Sequence, residues 1–174
     1  MKKKILYEGK FLRVIGEGGW EYVKRKNCTG IVVIAALTRD KKIILVEQYR
    51  KPVGKNVIEM PAGLVGDIES QAEEKIETAA MRELLEETGY QAKKMKLLMH
   101  GPVSAGLSCE IISIYQAINI KKVSEGGGDE TEDITVYEVP LKRAQKWLRQ
   151  MEQKGKLVDP KVYAGIYFLI AGAK

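Results

Sequence analysis

Runs of apolar residues separated by turn residues predict strands for the first sixty positions of the chain. The run GIVVIAAL is apolar without interruption, which is typical of a central strand covered on both faces. A turn at Arg39–Lys41 predicts that the next apolar run is its hairpin partner, and Pro61–Gly63 is predicted to break the chain. The predicted strands are Leu12–Ile15, Trp20–Lys26, Gly30–Leu37, Lys42–Gln48 and Val57–Met60, with a glycine-rich hairpin turn at 16–19.

A helical period replaces the strand pattern after about position 72. Ile76, Ala80 and Leu84 recur at every fourth position, which predicts a helix from about Ala72 to Thr88 with these residues facing the core. Gly89 is the residue expected just beyond its last turn.

The rest of the chain predicts further strands and two more helices. Asp159 followed by proline is typical of a helix start, with the aspartate as N-cap. Three glycines, 126–128, precede the acidic run Asp129–Asp133 and predict a long flexible loop. The predicted elements are strands Lys94–Met99, Ile111–Ile120 and Ile134–Val139 and helices Leu141–Glu152 and Asp159–Ala171.

Length and charge narrow the class of protein. The 174 residues correspond to one domain, and no apolar stretch approaches the roughly 20 residues of a membrane span. The basic amino terminus is not followed by an apolar segment, so we expect a cytoplasmic protein with no membrane partner. The net charge of +6 is uneven, since the segment Glu59–Gly89 has nine acids and two bases (−7) and the remainder carries +13. This separation argues against a simple nucleic-acid partner. The acidic segment suggests a bound cation, and the scattered lysines of the remainder can attract a polyanionic small molecule as easily as RNA.

Three carboxylates crowd the end of the predicted helix. Glu87 is four residues after Glu83, and Glu86 is three residues after it, so the three side chains are neighbours. Negative charge is unfavourable in the last turn of a helix. A bound Mg²⁺ or Mn²⁺ would reverse that cost, because hard divalent ions take oxygen ligands.

These residues belong to a stretch that resembles a known family motif. The sequence AAMRELLEETGY at 79–90 is similar to the second half of the Nudix box, GX5EX7REUXEEXGU, where U is aliphatic or aromatic. Gly63 fits the opening glycine of the box. Glu74 has the seven-residue spacing to Arg82, whereas Glu69 has the five-residue spacing from Gly63, so either is the first glutamate of the box.

Segments outside the box are similar to the ADP-ribose pyrophosphatase branch of Nudix hydrolases. They are 20–25 (WEYVKR), 47–52 (EQYRKP), 58–63 (IEMPAG) and 104–108 (SAGLS), the last with Ala105 where that branch usually has proline. The resemblance implies an α/β Nudix fold, a mixed β-sheet sandwiched between helices, with a small N-terminal β-hairpin region. It also implies that residues 1–40 form an N-terminal β region with a dimerisation role and that residues 41–174 form the catalytic domain.

The same resemblance implies the activity. It is the Mg²⁺-dependent hydrolysis, with Mn²⁺ as an alternative ion, of the diphosphate bond in a nucleoside diphosphate sugar of the ADP-ribose, ADP-glucose or GDP-mannose type. The products are a nucleoside monophosphate and a sugar phosphate. A homodimer that exchanges its N-terminal regions is implied as well.

The resemblance also assigns roles to individual residues, and we take them as expectations. The metal ligands are the Ala62 carbonyl and the carboxylates of Glu83, Glu86, Glu87 and Glu132. Arg82 orients the glutamates, and Glu130 is the expected base. The expected substrate contacts are Trp20 stacking on a base across the dimer, Arg25 supporting the nucleotide, Arg50 meeting the diphosphate and Glu59 accepting from ribose hydroxyls.

Two other functions remain open from the sequence. One is a non-catalytic Nudix-like module that senses a nucleotide or binds RNA. The other is hydrolysis of a different diphosphate, such as NADH or a dinucleoside polyphosphate. The three neighbouring glutamates favour an enzyme, because a binding module has no need of them together.

Overall fold

Two four-stranded mixed sheets lie at the centre of the computed structural model, which describes residues 2–66, 74–128 and 133–172. The strands are β1 (Lys4–Glu8), β2 (Leu12–Glu17), β3 (Trp20–Arg25), β4 (Gly30–Ala36), β5 (Lys42–Arg50), β6 (Lys55–Glu59), β7 (Ala62–Val65), β8 (Tyr90–Gln91), β9 (Lys94–Pro102), β10 (Ile111–Ile118), β11 (Lys121–Lys122), β12 (Thr135–Pro140) and β13 (Leu157–Val158). The helices are α1 (Ile76–Thr88), α2 (Ala144–Gln153) and α3 (Pro160–Ala171), with a 3₁₀ turn at Leu141–Arg143.

The two central sheets take strands from distant parts of the chain. One has the order β7–β4–β10–β9, with β4 and β10 parallel, and the other has the order β12–β5–β6–β13, with β6 and β13 parallel. The short strands β8 and β11 form a separate pair. The predicted mixed β structure is therefore confirmed, although the strands form two central sheets and the prediction was of one.

Helices cover both faces of β4, as its apolar run predicts. Val32 and Ile34 pack in a buried cluster with Leu84 of α1, whereas Val33 packs in a second cluster with Leu148 of α2 and with α3. Because side chains alternate along a strand, a run that is apolar at every position supplies both clusters. The sandwich between helices is confirmed.

The predicted hairpin between β4 and β5 is wrong. β4 pairs with β10 and β7, so both of its edges are occupied, and the backbone bridge described between the two segments runs from Leu37, just after β4, to Ile43. The turn between them carries the chain from one sheet to the other. Local sequence does not show this change of sheet, because the strands that pair with β4 come much later in the chain.

The predicted break at Pro61–Gly63 is wrong in part, because β7 begins at Ala62. The carbonyl of Pro61 accepts a hydrogen bond from the N–H of Ile34 at 2.8 Å. The chain thus leaves β6 in one sheet and enters β7 in the other almost at once.

Helix α1 begins later than the sequence predicts. Lys75 is extended (φ −68°, ψ 141°), and the first helical residue is Ile76, which is 37% exposed and so does not join the predicted core stripe. Ala80 and Leu84 are fully buried, as predicted. Gly89 ends the helix in the left-handed conformation (φ +73°), which confirms its predicted place.

The N-terminal region is a three-stranded antiparallel sheet in the order β1–β2–β3, one strand more than the predicted hairpin. It joins the rest through Val23 of β3, whose N–H donates to the Leu107 carbonyl at 2.9 Å and whose carbonyl accepts from the Cys109 N–H at 3.2 Å. Its exposed large apolar side chains are Ile5, Leu6, Tyr7, Phe11, Leu12 and Trp20. The dimerisation role of residues 1–40 stays a prediction.

Across the described helices, we find none that combines the length and the apolar character needed to cross a membrane.

Candidate active site

A cleft of about 660 Å³ opens where the carboxyl-terminal half of α1 faces the ends of β5 and β6 and the start of α3. Its described lining has charges of both signs. The cations are Arg25, Arg50, Arg82 and Lys161, and the carboxylates are Glu59, Glu83, Glu86 and Glu110.

Arg82 lies at the centre of a carboxylate cluster on α1. Its Nη1 donates to Glu83 at 2.9 Å and to Glu86 at 3.0 Å, and its Nε and Nη2 donate to the two oxygens of Glu74 at 3.3 and 3.2 Å. Burial works against the charge of Arg82, but the hydrogen bond to Glu74 and the charge of Glu83 outweigh it and raise the pKa of Arg82 above its ordinary value. The guanidinium thus holds Glu83 and Glu86 together.

The choice between Glu69 and Glu74 as the first glutamate of the box now has geometric support. Glu74 makes a bidentate ion pair with Arg82 and is nearly buried, with 8% of its side chain exposed. Glu69 lies outside the described residues. Of the two candidates, Glu74 is therefore the one for which the structure describes a contact with the box, the ion pair with Arg82.

Gly63 allows α1 to approach β7 closely. A Cβ atom at Gly63 would lie 1.9 Å from Cδ and 2.1 Å from Oε1 of Glu83. No side chain fits there unless the Glu83 carboxylate moves. The opening glycine of the box therefore leaves space for a carboxylate at the edge of the sheet.

Glu87 is the most buried of these carboxylates, at 2% exposure, and its Oε2 accepts a hydrogen bond from the N–H of Ala62 at 3.1 Å. Ala62 and Glu87 are thus neighbours, as the predicted ligand set requires, and the contact between them is made by the Ala62 N–H. The role expected of its carbonyl oxygen stays a prediction.

The segment after β11 covers the end of α1. The N–H groups of Gly127 and Gly128 donate to the carbonyls of Glu87 and Glu86 at 2.9 and 3.1 Å. A Cβ at Gly126 would lie 2.4 Å from the carbonyl carbon of Thr88, so backbone packs on backbone. The three glycines lie in a loop, as predicted, and these hydrogen bonds hold it to the helix end. The predicted flexibility of the loop stays a prediction.

The predicted substrate contacts divide into two places. Arg50 and Glu59 face each other in the cleft, with Nε to Oε2 at 2.6 Å, and Arg25 donates through Nε to Glu110 at 3.0 Å. Trp20 lies elsewhere, in a pocket of about 570 Å³ between the N-terminal sheet and the loop that contains Ala105. One chain therefore does not bring Trp20 into the cleft.

Two predicted residues, Glu130 and Glu132, lie outside the described residues. Their expected roles as base and late metal ligand stay predictions. The last described residue before them is Gly128, which is held at the end of α1.

The donors at the end of α1 suit a hard divalent cation, since they are carboxylate oxygens in the space left by Gly63. No group of three or more His, Cys, Asp or Glu side chains among the described residues has the geometry to hold a metal ion. Glu83 and Glu86 instead share Nη1 of Arg82, a positive group between two carboxylates. The cluster thus has oxygen donors of the kind that a hard cation takes, and a metal site in it stays a prediction.

Sequence reasoning missed two residues of the cleft, Glu110 and Lys161. Glu110 precedes β10, and Lys161 lies in the first turn of α3. Neither belongs to a motif. Both are far from the box in the sequence, and only the fold brings them to the site.

Comparison with known proteins now adds to this geometry. Residues 29–159 match the family described as NUDIX domain. An ADP-ribose pyrophosphatase of Bacillus subtilis is 36% identical over 141 residues, and a methanol dehydrogenase activator of Bacillus methanolicus is 35% identical over 141 residues. Each alignment covers 80% of this chain and 71% of the relative. A GDP-mannose pyrophosphatase of Escherichia coli is 30% identical over 138 residues, covering 74% and 69%.

A solved structure extends the likeness to the fold. The crystal structure of an ADP compounds hydrolase superposes with a TM-score of 0.73 over 98% of this chain and 91% of that one, at 18% identity. At that identity the likeness concerns the fold, and it includes the mixed sheets between helices described above. The matched residues 29–159 include helix α1, Gly63 and most of the charged residues of the cleft. Because this match spans most of the chain, the protein belongs to the Nudix family.

Proposed function

We propose that this protein hydrolyses the diphosphate bond of a nucleoside diphosphate sugar and releases a nucleoside monophosphate and a sugar phosphate. The observation that carries the proposal is the cleft in which the carboxylates of α1 face Arg50. The two sides of this cleft suit a diphosphate in different ways. The carboxylates of α1 can hold a metal ion, and Arg50 on the opposite side can bind the phosphate charge directly. Relatives named ADP-ribose pyrophosphatase and GDP-mannose pyrophosphatase support the substrate class.

Mg²⁺ is the ion we propose, held by Glu83, Glu86 and Glu87 with the Ala62 carbonyl and Glu132. When bound, it neutralises the diphosphate and lowers the pKa of an attacking water. Arg82 keeps its place on Glu74 and so fixes the side from which Glu83 and Glu86 reach the cleft. We assign it this orienting role and no metal contact.

Arg50 and Glu59 form the opposite wall. The Arg50 Nε is taken by Glu59, which leaves the terminal N–H groups of the guanidinium to donate to phosphate oxygens. Glu59 is nearly buried, and its second oxygen is the acceptor that we propose for ribose hydroxyls. Arg25, held in the same way by Glu110, supports the nucleotide from the side of the N-terminal sheet.

Glu130 is the proposed base that takes the proton of the attacking water. Support comes from the sequence, which places it two residues after Gly128, and from the anchoring of Gly128 on the carbonyl of Glu86.

The proposed function predicts a defined set of products. In the presence of Mg²⁺, we expect ADP-ribose, ADP-glucose, GDP-mannose or UDP-glucose to yield a nucleoside monophosphate and a sugar phosphate, identified by mass spectrometry. NADH and diadenosine polyphosphates belong in the same panel. Cleavage of these alone would assign a different substrate, and binding without cleavage would indicate a non-catalytic module.

Glu83→Gln and Glu87→Gln are expected to lower kcat/KM by about 100-fold or more, because each removes a charged metal ligand. The fold should survive, since the amide oxygen of a glutamine introduced in place of Glu87 can still accept from the Ala62 N–H. Titration calorimetry with Mn²⁺ should show weaker binding in both variants. Glu77→Gln is the matched control, because Glu77 is an exposed glutamate in the first turn of the same helix. Near-normal turnover of both variants would rule out the metal assignment.

Glu130→Gln is expected to lower kcat by roughly 100-fold, the scale of a lost general base, with a smaller change in KM. Glu132→Gln tests the late ligand, and added Mn²⁺ should restore part of its rate if it binds metal. Full kcat in both single variants would place the base elsewhere.

We propose that the protein is a homodimer in which the N-terminal sheets are exchanged. Trp20 is 63% exposed and lies outside the cleft of its own chain, in an N-terminal region that has other exposed apolar side chains. In a dimer, Trp20 would stack on the nucleobase bound to the other subunit. The cytoplasmic location expected from the sequence also stays a prediction, to be tested by cell fractionation.

The dimer predicts a twofold mass by light scattering and a specific kinetic change. Base–aromatic stacking contributes roughly 1–3 kcal/mol, so Trp20→Ala should raise KM by about 5- to 150-fold with a smaller effect on kcat. Tyr167→Ala is the control, because Tyr167 is similarly exposed at 66% but lies on α3. A monomeric wild type would refute the exchange, and an unchanged KM in a folded Trp20→Ala variant would refute stacking.

A further inference from the structure

Helix α3 supplies the cleft with a cation in addition to the arginines. Lys161 is in the first turn of α3 and lines the cleft together with Arg50 and Glu59. One quarter of its side chain is exposed, so solvent and ligands reach it. It lies two residues beyond the range matched by the family comparison.

Arg25, Arg50 and Lys161 share one arrangement. Each is paired with one carboxylate that comes from outside the α1 cluster, and for Lys161 this carboxylate is Asp159. Within the described residues, Asp159 is the one side chain that bonds the Lys161 ammonium group. An ammonium group has three donors, so donors remain for an anion in the cleft.

The place of Lys161 in its helix is unfavourable for a cation. The first turn of a helix favours negative charge, and the first turn of α3 contains no acidic residue. Asp159, the N-cap, offsets this by accepting from both the backbone N–H and the ammonium group of Lys161. A further negative charge delivered by a ligand would stabilise the lysine in this position.

We propose that Lys161 binds a phosphate oxygen of the diphosphate substrate and that Asp159 competes with the substrate for its ammonium group. The inference rests on the proposed function, because it takes the ligand of the cleft to be a nucleoside diphosphate sugar. It adds a substrate contact from α3, beside the wall formed by Arg50 and Glu59.

Competition predicts that the two members of this ion pair have opposite effects. Lys161→Met keeps most of the length of the side chain and the backbone N–H bond to Asp159, and it should raise KM by about 10-fold or more, the scale of a lost charge-assisted hydrogen bond. Asp159→Asn keeps an oxygen that caps α3 and removes the competing charge, so it should lower KM. Lys161→Arg should restore most of the affinity. Lys154→Met, at an exposed lysine without an ion pair among the described residues, should leave KM unchanged.

Binding of inorganic pyrophosphate separates this inference from the proposed function. Titration calorimetry with Mg²⁺ and pyrophosphate should show about 10-fold weaker binding to Lys161→Met than to wild type, the same scale as the loss of one charge-assisted hydrogen bond. If that difference appears while no sugar nucleotide is hydrolysed, the contact stands and the proposed function fails.

Three results would overturn the inference itself. The first is equal pyrophosphate affinity of wild type and Lys161→Met, and the second is no pyrophosphate binding by the wild type. The third is that Lys161→Met and Asp159→Asn both lower the melting temperature and neither changes KM, which would make the ion pair purely structural.

Discussion

The structure depends on holding negative charge at the carboxyl-terminal end of α1, the end of a helix where negative charge is least favourable. Glu83, Glu86 and Glu87 lie in the last two turns of α1, where the helix dipole favours cations. Arg82 neutralises part of this charge, and Gly63 leaves the space that Glu83 needs. Without a ligand, these carboxylates reduce the stability of the helix end. The surrounding contacts offset that cost, so that the cluster of carboxylates persists in a folded chain.

The end of α1 is fixed from two directions, which determines where its carboxylates point. On one side β7 donates to Glu87 from the Ala62 N–H, and on the other the Gly127 N–H donates to the Glu87 carbonyl. The glycines at 126–128 all have positive φ, and Gly126 packs against the Thr88 backbone. Their sequence suggested freedom of movement. The close backbone approach at Gly126 and the positive φ of all three residues also favour glycine, so three consecutive glycines are compatible with an anchored segment.

Features that depend on neighbouring residues in the chain were predictable from the sequence. Helix α1, the left-handed Gly89 and the buried residues of β4 all follow from spacing and residue type. Strand pairing was not predictable in the same way, because β4 has partners far along the chain, and the short strand β7 looked like a break after proline. Of the candidate site, the cluster around Arg82 was predictable, whereas Lys161 was not, since no motif includes it.

The cleft combines ion pairs that differ in how much a ligand can change them. Arg82 has three carboxylate partners and is mostly buried, so it is committed to the protein. Arg25 and Arg50 each bond one carboxylate through Nε, which fixes the plane of the guanidinium and leaves its terminal donors directed elsewhere. A fixed donor loses less conformational entropy when a phosphate binds than a free side chain does. The carboxylate partners therefore hold the guanidinium groups in place, and under the proposed function the negative charge of a diphosphate would complete an arrangement that the protein has already built on one side of the cleft.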